Sequence, residues 1–317
     1  MTTVSVVIPT HGRPDLVPRA VASVLAQTMA DLELIVVVDG PDRATEAALA
    51  ELGRADGGRL RILVNPASVG GGAARNIGVR AATGAWVAFL DDDDAWLPTK
   101  LERQLAAIAA SDAAEPIAFC PIVVRSTDGD RAWRSHAPRP GEPASEYLFV
   151  RRSLRAGEGT VGTSTIVARR SLLIDVPFDP ALRRYQDADW VLRAAAAGAT
   201  LVYCPERLSV WSAPGEGASI TADHATDWRY AFDWIRARRH LVTARAYAAF
   251  LLVRVAALAA AAGDRSAAGP LWREARRLGR PAPLDVLLFG GRWIVPDGIR
   301  IRLRRRLAGV GHSMGRP

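Results

Sequence analysis

Two rhythms of apolar and polar positions alternate along the first hundred or so residues. The runs "VSVVIP" (4–9), "LELIVVVD" (32–39), "RLRILVN" (59–65) and "AWVAFLD" (85–91) are short and mostly apolar. They read as strands, and the near-continuous apolarity of 32–39 is that of a strand buried on both faces. Between them lie segments with helical spacing. Residues 13–27 bring Leu16, Ala20, Val24 and Gln27 to one face, and 42–53 close on a glycine. Residues 71–84 carry a glycine at each end, and 98–110 open on Pro98 near the first turn. Strand alternating with helix predicts an α/β domain, a mostly parallel sheet with helices on both faces. Ligands of such sheets sit at the carboxyl ends of the strands, where Asp39 and the run Asp91–Asp94 both fall.

Beyond residue 112 the alternation weakens. A strand is expected over 117–125, a proline-rich loop over 126–143 and a strand then a turn over 164–173. A helix follows at 187–199, then an extended run at 200–211. The glycine-rich stretch 212–221 fits a lid or a plain surface loop. From about residue 225 the pattern is helical, with 250–279 reading as two helices joined at Gly263-Asp264. The expected division is a sheet domain over 1–222 and a basic, mostly helical region over 223–317. The longest apolar stretch, 246–263, has Arg254 at its middle and is rich in alanine, so it reads as a buried helix rather than a bilayer span.

Composition adds two points. The two cysteines, Cys120 and Cys204, lie in apolar runs, and no basic segment precedes the first strand. Buried thiols and a cytoplasmic location are expected. The net charge of +8 is unevenly spread: residues 225–317 hold 18 arginines against 6 acids, while the rest of the chain is slightly acidic. Residues 292–306, "RWIVPDGIRIRLRRR", interleave 6 arginines with tryptophan and aliphatics. Such a segment suits the anionic inner face of the cell membrane, a packed or solvated terminal helix, or nucleic acid, although no nucleic-acid motif accompanies it.

The chemistry centres on "FLDDDDAWLP" (89–98). Two unit charges about 4 Å apart repel by about 4 kcal/mol at an effective dielectric of 20, so four aspartates at a strand end call for a cation. Carboxylates suit Mg²⁺ or Mn²⁺, which with few protein ligands complete their shells with water and substrate phosphates. Alternation along an extended backbone would aim Asp91 and Asp93 one way, Asp92 and Asp94 the other. A solvated acidic loop before a helix remains the alternative.

Around this run, "PTHGRP" (9–14), the Gln27-Thr28 that closes the first helix, "ELIVVVDG" (33–40), "AARNIG" (73–78) and a proline two residues after Trp96 stand in a fixed order. Together, over residues 4–215, they resemble glycosyltransferase family 2, whose members use the Rossmann-like GT-A fold. The resemblance implies inverting transfer of a sugar from a nucleotide diphosphate donor, a UDP-sugar in the favoured reading, to an acceptor hydroxyl on a lipid-linked glycan or small molecule. It places Asp93 as metal ligand, Asp91 and Asp92 in support of metal, ribose or sugar, and Pro9 and His11 beside the nucleoside. Asp39 matches an acidic pair that reads the base, though Val38 replaces its first member. Arg75 matches a donor contact and otherwise a salt bridge on a helix face. Asp187 matches the base that takes the acceptor's proton, with Gln186 where a glutamate is usual; a helix cap is the plainer reading. Trp190 fits an acceptor site or the core. No Gln-x-x-Arg-Trp of processive synthases is present, so single addition is expected. A nucleotidyltransferase of similar sheet and a non-catalytic nucleotide-sugar binder are the competing readings. "VGGGAARNIG" (69–78) is a poor dinucleotide motif, with Arg75 at the third glycine's place.

Overall fold

The structure is a computed structural model that describes residues 3–53, 58–125, 129–133, 136–154, 159–212 and 227–294. It divides into two compact units, one of Met1–Pro140 with Thr160–Ala218, the other of Gly141–Gly159 with Ser219–Pro317. The expected boundary at 222/223 and the glycine-rich stretch from 213 onward lie outside the described residues, as does 295–317.

In the first unit β1 (Val4–Thr10), α1 (Val17–Leu25), β2 (Leu32–Val38), α2 (Arg43–Gly53), β3 (Leu60–Val64), α3 (Gly71–Ala81) and β4 (Trp86–Phe89) alternate as the pattern predicts. Then come β5 (Asp94–Trp96), α4 (Lys100–Ala109), β6 (Pro116–Phe119), β7 (Ile122–Arg125) and β8 (Arg131–Ala132). A helix of the second unit, α5 (Ala144–Phe149), intervenes before β9 (Val167–Arg169), α6 (Arg170–Asp175), α7 (Gln186–Ala196), β10 (Thr200–Tyr203) and β11 (Ser209–Ser212). Seven strands form the main sheet in the order β10-β6-β9-β4-β1-β2-β3, parallel except for β9. Strand β1 shows why both faces are apolar. Val4, Val6 and Ile8 join Val17, Val21, Leu49 and Leu101 in one core, while Val7 points to the other face. There α3 lies so close that a Cβ on Gly78 would stand 2.3 Å from Val7 Cγ1.

The extended runs 117–125 and 200–211 each divide in two. Both break at a Cys-Pro pair, Cys120-Pro121 and Cys204-Pro205. Proline cannot donate to a ladder, and here both chains leave the main sheet, where β6 pairs with β10, for a second sheet, where β7 pairs with β11. That second sheet runs β5-β11-β7-β8 and begins at Asp94, so the aspartate run is the junction between the two sheets.

The second unit contains α5, α8 (Trp228–Ala237), α9 (Ala244–Ala249), α10 (Ala256–Ala261), α11 (Ala268–Leu278) and α12 (Pro283–Ile294), with π-helical turns over Phe250–Val255 joining α9 to α10. Helix α5 joins this unit because Phe149 packs edge-on against Trp234 and Phe250, and Ser145 Oγ accepts from the Thr243 N–H. Ala244–Ala261 is long and apolar enough to cross a bilayer, but 61% of it is buried inside the protein, as a core helix is. Gly263, at φ 72°, makes the turn between α10 and α11.

Candidate active site

Register builds the site. Val7 of β1 pairs with Phe89 of β4, so three residues later Thr10 meets Asp92, and the threonine hydroxyl donates to Asp92 Oδ2 at 2.7 Å. Arg13, just beyond β1, donates through one nitrogen to Asp92 Oδ1 at 2.7 Å and Asp93 Oδ2 at 3.0 Å. Arg19 of α1 donates to the Asp93 carbonyl. The arginines therefore come from "HGRPDLVPR", a segment whose pattern signals only a strand end and a helix start.

Burial alternates along the run: Asp91 and Asp93 are about one-third exposed, while Asp92 and Asp94 are buried. The two buried carboxylates do not share a partner, because the backbone turns here, Asp94 N–H donating to Asp91 O at 3.0 Å. Asp94 Oδ2 accepts from Ser164 Oγ at 2.5 Å, and the same hydroxyl accepts from the Asp91 N–H. Asp94 Oδ1 is buried and makes no hydrogen bond. Burial, with the Asp91 charge next, pushes Asp94 up to about 8. Burial also raises Asp92, against the opposing pull of Arg13.

Asp39 ends β2 and is committed to the chain around it. Oδ1 accepts from Asn65 Nδ2 and Val69 N–H, both 2.9 Å; Oδ2 accepts from Ser68 Oγ at 2.9 Å and Gly70 N–H at 2.8 Å. Burial would raise its pKa, but these four bonds outweigh it and hold the carboxyl below its usual range. Four bonds fill the lone-pair directions of a carboxylate, so a nucleobase could reach Asp39 only by displacing one. The same bonds occupy the N–H groups ahead of α3, where a dinucleotide loop would hold phosphate. His11 is exposed and its Nδ1 lies 2.6 Å from the Asp39 carbonyl, which only accepts, so Nδ1–H is the donor of this bond. Pro9 is half-buried opposite Val37 in the ladder.

Arg75, on α3, spans the site. It pairs with Asp91 through Nη2, and through Nη1 it donates to Gln186 Oε1 at 2.7 Å. Gln186 opens α7, and Asp187 follows it. Glycines make room here: a Cβ on Gly71 would stand 3.2 Å from Arg75 Nη1, and one on Gly72 would stand 3.0 Å from Asp179 O. Tyr185, just ahead, has φ 62°, the one left-handed non-glycine among the described residues, and it turns the chain into the helix. Asp187 is half-buried; its Oδ1 accepts from Ala188 N–H at 2.7 Å. Burial raises its pKa, Ala188 opposes, and the Asp91 charge raises it further. Asp189, by contrast, is fully buried against Arg193 at 2.7 Å. Trp190 belongs to the core, stacked on Phe178 and donating to Val176 O. Asn76 is structural too: its amide both donates to Phe178 O and accepts from Phe178 N–H, fixing that segment to α3.

Among the described residues, no three His, Cys, Asp or Glu side chains are grouped to hold a metal by themselves. The half-exposed Asp91 and Asp93 carboxylates, beside the orphaned oxygen of Asp94, are hard donors that fit a divalent cation sharing its shell with a substrate.

The chain is similar to known proteins in sequence and in fold. The model of glycosyl transferase family 2 matches residues 5–176, more than half the chain. A glycosyltransferase of Nostoc sp. is 30% identical over 226 residues, 70% of this chain and 68% of its own. S. aureus TarS 1-349, solved with UDP-GlcNAc, superimposes at TM-score 0.57 with 16% identity, covering 94% of this chain and 77% of its own. The mannosyltransferase PcManGT of Pyrobaculum calidifontis, solved with GDP-Man and Mn²⁺, superimposes at TM-score 0.58 with 17% identity, over 94% and 82%. These likenesses make the first unit a GT-A-type sheet domain, and the chain belongs to glycosyl transferase family 2.

Proposed function

We propose that this enzyme moves one sugar per encounter from a nucleotide diphosphate donor, a UDP-sugar in the favoured reading, to an acceptor hydroxyl on a glycan, with inversion at the anomeric carbon. The observation that carries the reading is Arg75, which ties the half-exposed carboxylate of Asp91 to the residue before Asp187. One side chain thus spaces a diphosphate-holding carboxylate from a half-buried one of raised pKa, as a displacement with leaving group and base on opposite faces requires. The TarS and PcManGT complexes support the donor class.

Asp93, with Asp91, would hold Mg²⁺ or Mn²⁺. Such a cation, when bound, neutralises charge growing on the departing diphosphate. Arg13, now paired with Asp93, exchanges that contact for the donor's phosphates. Asp187, oriented by Ala188 N–H, accepts the proton of the acceptor hydroxyl as its oxygen bonds to the anomeric carbon and the bond to the diphosphate breaks. Asp187 must be ionised for this, so the acid limb of kcat/KM lies above the ordinary aspartate range, in the direction burial moves it.

The test is turnover with a panel of nucleotide sugars, with and without Mn²⁺, reading the released nucleotide and the product anomer by NMR. Asp187→Asn is expected to lower kcat/KM by about 10²–10⁴-fold while nucleotide binding by calorimetry holds. Asp93→Asn is expected to abolish the metal dependence of nucleotide binding. Undiminished turnover by Asp187→Asn, retention at the anomeric carbon, or release of pyrophosphate instead of a nucleoside diphosphate would each overturn the reading.

A further inference from the structure

The outward face of α12 is the wrong way round for a helix in water. At about 100° per residue, Pro283, Val286, Leu287, Gly290 and Ile294 share one arc, and none of them is polar. Val286 is 38% exposed, Leu287 61% and Ile294 81%. The acid of this helix, Asp285, lies on the other side, fully buried, with Oδ2 accepting from Ala282 N–H at 3.0 Å. A surface helix ordinarily turns such a face inward.

Beside this ridge runs a ladder of half-exposed rings. Trp272 of α11 stacks on Phe289 at 5.9 Å, Phe289 meets Trp293 edge-on at 6.0 Å, and the Arg276 guanidinium lies 5.7 Å from the Trp272 ring. Arg273, Arg276 and Arg277 of α11 are exposed. Residues 227–294 hold 12 arginines against 5 acids, and the sequence beyond α12 adds five more between 300 and 306.

We propose that α12 and the arginines of α11 form a docking surface for an anionic lipid bilayer. Leu287 and Ile294 enter the acyl boundary, Trp272 and Trp293 sit at headgroup level, and Arg273 and Arg276 meet lipid phosphates. Charge decides the occupant. A second copy of so basic a surface would meet it with like charge, and a nucleic acid backbone would leave the aliphatic ridge in water. The surface is independent of the donor chemistry proposed above.

The test uses the full chain with vesicles of phosphatidylcholine alone, or mixed with equal phosphatidylglycerol. Co-sedimentation with the anionic vesicles only, weakened by salt, is expected. Leu287→Gln/Ile294→Gln is expected to lower the bound fraction about tenfold with an unchanged unfolding midpoint, because both side chains are exposed. Arg273→Gln/Arg276→Gln is expected to erase part of the preference for anionic lipid. Equal binding to both vesicles, wild-type binding by the leucine–isoleucine variant, or a dimer in light scattering that the same variant dissociates would overturn the assignment.

Discussion

Lys100 is the chain's one lysine, and it is wholly buried with no hydrogen bond to its Nζ. It sits 3.8 Å from the centre of the Trp96 ring, near Cys120 and Cys204. Burial pulls its pKa down to about 8, with the two thiols opposing. From about pH 8 to 10.5 the unfolded chain binds this proton and the folded chain does not, so stability rises with pH across that window. The shift corresponds to a cost of about 3 kcal/mol at neutral pH, partly offset by the ring. Lys100→Met is therefore expected to raise stability by about 1–3 kcal/mol at pH 7 and to lose the rise above pH 8, read by denaturant titrations at several pH values. The same scale separates the aspartates. Asp39, Asp92 and Asp189 are buried among the chain's own donors and Asp94 is held through one oxygen by Ser164, while Asp91, Asp93 and Asp187 stay partly exposed.

At the scale of elements, α3 is the site's spine. Its face toward the sheet is pared to Gly78, and from it Arg75 and Asn76 reach the chain beyond β9. Asn76 holds Phe178 by both backbone groups, and Phe178 in turn stacks on Trp190 of α7, the helix that carries Asp187. Asn76→Ala leaves a buried N–H and C=O without partners and is expected to cost about 2–4 kcal/mol, measured by urea denaturation. Because α7 carries Asp187, the same variant is expected to lower kcat more than it raises KM. The Cys-Pro breaks belong to this scale as well. Hydrophobic periodicity reads 117–125 and 200–211 as continuous because apolar residues stand on both sides of each proline. Only the pairing of β7 and β11 away from the main sheet shows that the chain changes layers there.

For the whole molecule, charge and fold divide the labour. The slightly acidic first part holds the sheet and the candidate donor site; the basic second unit is helical and bears the apolar ridge. A nucleotide that binds only the folded first unit stabilises it by mass action. UDP at a hundred times its Kd with Mn²⁺ is expected to add about 2.7 kcal/mol, read by chemical denaturation, and Asp93→Asn is expected to lose the part that needs the metal. The assignment of α5 to the second unit was not legible in the chain, because the signal is the meeting of Phe149 with Trp234 and Phe250, about 85 to 100 residues away in sequence.

The alternating sheet, the acidic run at a strand end and the family are legible from the chain alone, because strand and helix periods are local and the motif residues stand at fixed spacings. Which carboxylates stay exposed and which are bound by the chain itself follows only from the tertiary structure. Asp92 meets Arg13 across 79 residues, Asp39 meets the loop before α3 across about 30, and Arg75 reaches Gln186 across 111. A carboxylate's availability depends on which donors surround it in space, and those donors come from strand ends that only the folded register brings side by side.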